Sequence, residues 1–271
     1  MFRVKINNEI TKLHPIKAGV PQGSILGPIL YLIYTSDIPY MEGITLSTYA
    51  DDTAIIASHT NAVTASLILQ NYLLKIQQWF KTWRIKTNEE KSVQITFTLK
   101  KDTCPVVFLN NKPIPQSNTA KYLGIHLDRR LTWKDHIWHK RKQLNLKLRN
   151  MYWLLGRRSK LSIENKILVY KSILKPIWTY GIQLWGTAAN SNIEIIERFQ
   201  NKTLRNILNA PWYITNDIIR KETRTSSVRE EINNYVEKYK QRLNIHPNIL
   251  ASNLLQETFT NTRFKKFKSF F

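Results

Sequence analysis

The apolar residues of this 271-residue chain change their spacing near residues 131–135, and that change limits the folds open to it. Before the change, short runs alternate apolar and polar residues, the pattern of strands with one buried face. Residues 2–15 alternate around Asn7-Asn8, which predicts a strand pair with a tight turn. Residues 45–58 are rich in β-forming side chains but broken by Asp51-Asp52, so two strands joined by an acidic turn are expected. Residues 91–99, 106–109 and 121–127 read as further strands. Two helices interleave with them. An apolar stretch runs to about Tyr34, with Ser24 as a fair N-cap and Pro28 at or just past the first turn, where proline does least harm. Ala62, Ala65, Leu69, Leu73, Ile76, Phe80 and Trp83 recur at three and four residues, the stripe of an amphipathic helix.

After Trp133 the strand signals fade. Ile163, Ile167, Tyr170, Leu174 and Ile177 form a helical stripe that Pro176 is expected to kink or end. Ser191-Asn192-Ile193-Glu194 fits a capping box. The helix it would open puts Ile193, Ile196, Leu204 and Ile207 on one face and Arg198, Lys202 and Arg205 on the other. The predicted class is α+β. Residues 1–130 form a mixed unit, 131–215 basic helices, and 216–271 a basic helical region ending in a loosely ordered tail at 263–271.

Lys and Arg number 41 against 19 Asp and Glu, a formal charge of +22. Such a charge opposes compaction and suits a polyanionic partner, nucleic acid first of all. A basic protein kept soluble by its charge is the plainer alternative. The single cysteine, Cys104, excludes an internal disulfide and a cysteine-based zinc site, and fits a reducing compartment, nucleus or cytoplasm, better than secretion. The first 18 residues have no signal-peptide pattern, and the longest apolar run, 29–34, falls far short of the roughly 20 residues that span a bilayer. No membrane partner is expected.

Two motifs carry chemistry. Tyr49-Ala50-Asp51-Asp52 sets adjacent carboxylates on a tight turn, where a hard divalent cation such as Mg²⁺ or Mn²⁺ would neutralise them. Taken alone it reads as a solvated turn. Gly19-Val20-Pro21-Gln22-Gly23-Ser24, followed by Leu26-Gly27-Pro28, lets backbone approach a ligand at a helix start. Taken alone it is an ordinary strand-to-helix turn. In this order, about 25 residues apart, the two resemble motifs of reverse transcriptases, in wording closest to insect non-LTR retrotransposons of the jockey type. Asn88-Glu89-Glu90-Lys91-Ser92 resembles the next palm motif of that family. Lys121-Tyr122-Leu123-Gly124-Ile125, with Leu127-Asp128 and Leu131-Thr132-Trp133, resembles its primer-grip region. The resemblance extends to about residue 215, through a helical segment after the thumb.

The resemblance implies a partial polymerase palm, an antiparallel sheet with packed helices, followed by a basic thumb-like domain. It implies extension of a primer 3′-hydroxyl on an RNA template with two metal ions. Asp51 would be the main metal ligand and Asp52 its support; Tyr49 would lie beneath the primer or template. Gln22 and Gly23 would line the nucleotide pocket, and Lys91 would sit near the triphosphate as a proton donor to pyrophosphate. Tyr122, Leu123 and Gly124 would form the primer grip, and Arg198, Lys202 and Arg205 would contact phosphates. The partners implied are RNA template, DNA primer and deoxynucleoside triphosphates. Trp138, Tyr152 and Trp153 are read as helix core, with base stacking as the alternative; His136 and His139 are read as surface or phosphate-contacting residues, not metal ligands.

The family pattern also has an aspartate upstream of Gly19, but the first aspartate here is Asp37. Basic fingers and an N-terminal endonuclease are absent as well. The chain is therefore expected to lack an N-terminal polymerase segment, as a degraded copy, a truncated product or one piece of a longer polyprotein. It is expected to leave apolar surface uncovered and to be inactive by itself. A non-catalytic remnant that binds template–primer is the alternative, and a chance match in an unrelated basic protein is the third reading.

Overall fold

The computed structural model describes residues 1, 3–15, 19, 20, 23–101 and 103–254. The expected tail at 263–271 lies outside them. Among the described residues the strands pair into four separate antiparallel hairpins and do not join into one sheet. The α+β class holds, with the strands antiparallel but divided among four two-stranded sheets. The first hairpin is β1 (Lys5–Ile6) with β2 (Glu9–Ile10), turning at Asn7-Asn8 as its alternation predicts, with Asn7 at φ 53°. Asparagine tolerates that left-handed backbone.

Helix α1 (Leu26–Tyr34) follows. Its N-cap is Ile25 rather than Ser24, though the Ser24 hydroxyl accepts the Leu26 N–H at 3.3 Å. The helix buries none of its residues, and Leu26, Leu32 and Ile33 are each at least 60% exposed. It is tethered by polar tips: the Tyr31 hydroxyl donates to the Ala50 carbonyl, and the Tyr34 hydroxyl to the Trp83 carbonyl. The expected uncovered apolar surface is here.

Hairpin β3 (Ile44–Tyr49) and β4 (Asp52–Ala57) lies against α2 (Ala62–Thr82). Asn61 caps α2, its side chain accepting the Val63 and Thr64 amides. Tyr72, Leu73 and Ile76 of α2 are buried with Ile44, Val107, Leu109 and Ile114 in the smaller core. The expected strand at 91–99 is replaced by one bridge, Gln94 to Gln116. The Gln94 side chain donates to the Pro105 carbonyl and accepts the Val107 amide, so it ties the segment to its neighbours without a ladder. The strand expected at 106–109 shortens to β5 (Phe108–Leu109), paired with β6 (Lys112–Pro113) across Asn110-Asn111. The run at 121–127 is not one strand either. It folds back as β7 (Thr119–Tyr122) and β8 (Ile125–Asp128), because Leu123 and Gly124 both take positive φ, 46° and 76°, the backbone of a two-residue hairpin loop.

The larger core is helical. It gathers Ile125, Trp133, Ile137, Leu144, Tyr170, Leu174, Trp178, Ile182, Trp185, Ile196, Phe199 and Leu204 among others. Its elements are α3 (Lys134–Asn150), α4 (Tyr152–Leu155), α5 (Ile163–Val169), α6 (Lys175–Thr179), α7 (Ile182–Trp185), α8 (Asn190–Leu208), α9 (Asn216–Glu222), α10 (Val228–Asn244) and α11 (Ile249–Asn253). Between α5 and α6 a π-helical turn spans Tyr170–Leu174. Pro176 sits in the first turn of α6, so the proline neither breaks the run nor leaves it α-helical throughout. Its ring would meet the carbonyl four residues back, and the wider turn before it makes room. The capping box expected at Ser191 is absent: α8 begins at Asn190 behind Ala189, with no side-chain cap. A capping box occurs instead at Ser227 and Glu230, opening α10.

Within this core the Tyr170 hydroxyl donates to Gln200 Oε1 at 2.9 Å, and Gln200 Nε2 donates to the Ser226 carbonyl at 2.7 Å. Tyr170 and Gln200 are both fully buried, and burial pushes the phenol well above its usual range, so it stays a donor. Tyr170→Phe would strand the Gln200 oxygen without water or a partner. The expected loss is about 1–3 kcal/mol of stability, read as a lower urea midpoint with an unchanged slope.

Candidate catalytic turn and nucleic-acid face

In the β3–β4 hairpin, Tyr49 pairs with Asp52, and Ala50-Asp51 makes the two-residue loop between them. Two-residue loops that match strand twist need positive φ, and Ala50 takes it at 49°. A side chain is strained there by roughly 1–3 kcal/mol, and the Tyr31 hydroxyl on the Ala50 carbonyl holds the conformation. The outcome is an exposed tip carrying Asp51 in the loop and Asp52 at the strand start, with Tyr49 66% exposed beside them. The donor chemistry is right for a hard cation, but the set is incomplete. No group of three or more His, Cys, Asp or Glu forms a metal cluster among the described residues. Two carboxylates supply only part of the roughly six oxygens such an ion takes.

Tyr122, Leu123 and Gly124 lie at the turn of the β7–β8 hairpin, and this hairpin reaches β3. The Tyr122 hydroxyl donates to the Ser47 carbonyl at 3.2 Å and lies 3.3 Å from its Oγ. On the other side, the Tyr180 hydroxyl donates to the Leu123 carbonyl at 2.6 Å, and the Tyr180 ring lies under Gly124. The structure therefore brings the predicted grip residues together with the strand that carries Tyr49. Ser47 and Tyr180 were not legible as partners, because they stand 75 and 57 residues from the groups they meet.

Gly23 takes a φ of 83° that favours glycine, and it is exposed ahead of α1. Gln22 lies outside the described residues. Lys91 is exposed on the turn after Asn88, whose Oδ1 accepts the Lys91 amide at 3.1 Å. Within this motif Glu89 accepts from Asn110 and Thr87, which hold its carboxyl below the usual range.

On α8 the predicted faces are as expected: Ile193, Ile196, Leu204 and Ile207 are buried, while Arg198 and Lys202 are exposed. Arg205 is engaged internally. Its guanidinium donates to the Pro211 carbonyl at 2.5 Å, the Ile214 carbonyl at 2.7 Å and Asn216 Oδ1 at 3.0 Å. It thereby braces a loop that holds Trp212, 89% exposed, and Tyr213 out in solvent. Trp138, Tyr152 and Trp153, read as core, are instead 49%, 55% and 74% exposed. The apolar face of α3 is already filled by Ile137 and Leu144, and α4 buries Leu155. His136, read as a surface group, is fully buried: its Nδ1 accepts the His126 amide at 3.2 Å, and burial lowers its pKa to about 4. Arg205→Ala should free the 211–216 loop, costing about 1–3 kcal/mol. Faster amide exchange and protease cleavage confined to that loop would check it.

Residues 1–127 match the family model described as reverse transcriptase (RNA-dependent DNA polymerase). The chain is 40% identical, over 93% of its length, to the probable RNA-directed DNA polymerase from transposon X-element of Drosophila melanogaster, and equally to the RNA-directed DNA polymerase from mobile element jockey of that species. The jockey polymerase of Drosophila funebris is 39% identical over 88% of the chain. The chain spans 28%, 28% and 27% of the length of these three relatives. No solved structure matches it. With the carboxylate turn standing inside the matched residues, residues 1–127 carry a reverse transcriptase domain, and over most of its length the chain is similar to the RNA-directed DNA polymerases of jockey-type non-LTR retrotransposons.

Proposed function

We propose that this chain forms part of the RNA-directed DNA polymerase of a mobile element, extending a primer 3′-hydroxyl on an RNA template. The observation that carries the reading is the exposed Asp51-Asp52 tip, hydrogen-bonded through Ser47 and Tyr122 to a second hairpin seated on the basic helices. Divalent ions, Mg²⁺ or Mn²⁺, when bound would polarise the reacting phosphate and align attacking and leaving oxygens. Asp51 and Asp52 would hold them from one side. The remaining protein ligands would come from outside the described residues, from an upstream polymerase segment that would also cover α1. Tyr49 would support the primer end, the Tyr122–Gly124 turn would position its backbone, and Lys91 would lie toward the triphosphate. Palm for residues 1–130 and thumb for the helices after them are the assignments this implies, with a nuclear or cytoplasmic site of action. No helix among the described residues is long and apolar enough to cross a membrane.

A second reading, a template–primer binding remnant without chemistry, is favoured by the incomplete carboxylate set. Exposed aromatics on the basic helices, Trp138 one turn from Lys134 and Lys142 on α3 and Trp153 on α4, suit either reading. Asp51→Asn separates the two. In a chain joined to an upstream polymerase segment, it should cut primer extension by at least about a hundredfold and leave duplex affinity within about twofold. The isolated 271-residue chain should show no extension. Extension by the isolated chain would overturn the need for an upstream segment; extension that survives Asp51→Asn would overturn the catalytic assignment.

A further inference from the structure

A small pocket of 150 Å³ opens between the β7–β8 hairpin and α3, lined by Lys121, His126, His139, Lys140, Gln143 and Tyr180. The His126 and His139 rings stack at 3.9 Å, 4° from parallel. The Lys140 ammonium lies 4.9 Å from the centre of the Tyr180 ring. Among the described residues none of these basic groups makes an ion pair. Four basic side chains from two elements thus converge without a carboxylate between them. Partial burial strips Lys140 of hydration, and Lys121 repels it; together they lower its pKa. Burial, then His139, Lys121 and Lys140, depress His126, while Asp135 on the first turn of α3 acts weakly the other way. His136, the remaining titratable group there, is buried and neutral at pH 7. The arrangement is poor for cations alone and good for an anion that neutralises them.

We infer that this pocket binds a phosphoryl oxyanion, with Lys121 and Lys140 supplying charge and the stacked His126–His139 pair supplying imidazole N–H donors. The inference rests on the nucleic-acid reading for its source, a backbone phosphodiester of the template–primer, but the pocket's chemistry would take a free phosphate equally. The hairpin bearing it touches Ser47, two strand residues before the Tyr49–Asp52 pair that closes the Ala50-Asp51 loop. An anion held here would therefore fix the duplex at a set distance from the carboxylate turn. Because the anion favours the protonated imidazoles, binding should strengthen as pH falls through and below the ordinary histidine value of about 6.5.

The test uses the full chain and two probes, an RNA–DNA template–primer duplex and inorganic phosphate. With duplex, affinity should rise about threefold or more from pH 7.5 to 5.5, and His126→Asn with His139→Asn should flatten that rise. Lys140→Gln, a second and independent variant, should reduce the slope of log affinity against log salt by about one. With phosphate, the His126 and His139 imidazole NMR signals should move. Movement with phosphate, together with duplex binding that the variants leave unchanged, keeps the oxyanion site and assigns it to free phosphate. The same movement in a chain that binds no duplex at all sinks the nucleic-acid reading and leaves the pocket standing. No response to phosphate, with duplex binding unaltered in all variants, overturns the inference.

Discussion

The placement of the carboxylate turn against the basic helices depends on one device, the ten-residue β7–β8 hairpin and the corner that follows it. Ile125 of this hairpin is buried in the helical core, and its Cδ1 approaches to 2.4 Å of where a Cβ on Gly181 would stand. Gly181 also takes a φ of 66°, so only glycine meets both demands. At the far end the Asp128 carboxylate accepts the Thr132 and Trp133 amides and the Thr132 hydroxyl. That cluster holds the buried Trp133 in left-handed backbone and aims α3. Tyr122 meets Ser47 on the β3 side. A residue-level change anywhere in this joint would move the site before it altered any chemistry.

Several cationic side chains have structural partners, so the count of 41 Lys and Arg overstates how many are free to face a polyanion. Lys166 is buried and donates to the Gly156 and Ser159 carbonyls. Lys171 donates to the Thr223 and Arg224 carbonyls, and Arg141 to the Ile195 carbonyl. Lys175 pairs with Glu231 and Arg220 with Glu197. Helix ends and corners leave carbonyls without intrahelical partners, and cationic side chains satisfy them. Arg205 is the instructive case, because helical spacing alone groups it with Arg198 and Lys202. The exposed aromatics go the other way: side chains large enough to be core stand in solvent, where a partner with flat apolar faces would bury them.

The hairpins explain why α1 and the strand tips are so exposed. A two-stranded ribbon has two open edges and a face that needs covering, and it is marginal in water unless something packs on it. The β3–β4 ribbon has α2 on one side. Among the described residues helix α1 is tied to the β3–β4 loop by the Tyr31 hydroxyl and to the end of α2 by the Tyr34 hydroxyl and an edge-on Tyr34–Trp83 ring contact. This leaves α1's apolar side chains unburied among the described residues.

Features governed by neighbours in sequence were legible in the residues themselves. The Asn7-Asn8 hairpin, the carboxylate turn, the α2 stripe and the two faces of α8 follow from period and turn chemistry over a few residues. The helical change at Pro176 was legible as a disturbance, though not as a π-turn. Tertiary structure alone decided the rest. Whether strands join into one sheet depends on edges far apart in the chain, and here Gln94 forms a single bridge, to Gln116. Burial of His136 and exposure of Trp138 depend on which neighbours of α3 the β8 strand and α6 cover, which helical period does not encode. The helix start bypasses Ser191, since a cap is worth only about 1 kcal/mol and the seven buried side chains of α8 outweigh it. Local pattern determines what each segment can become; the long-range contacts, each with its own burial and hydrogen-bond demands, decide which segments meet.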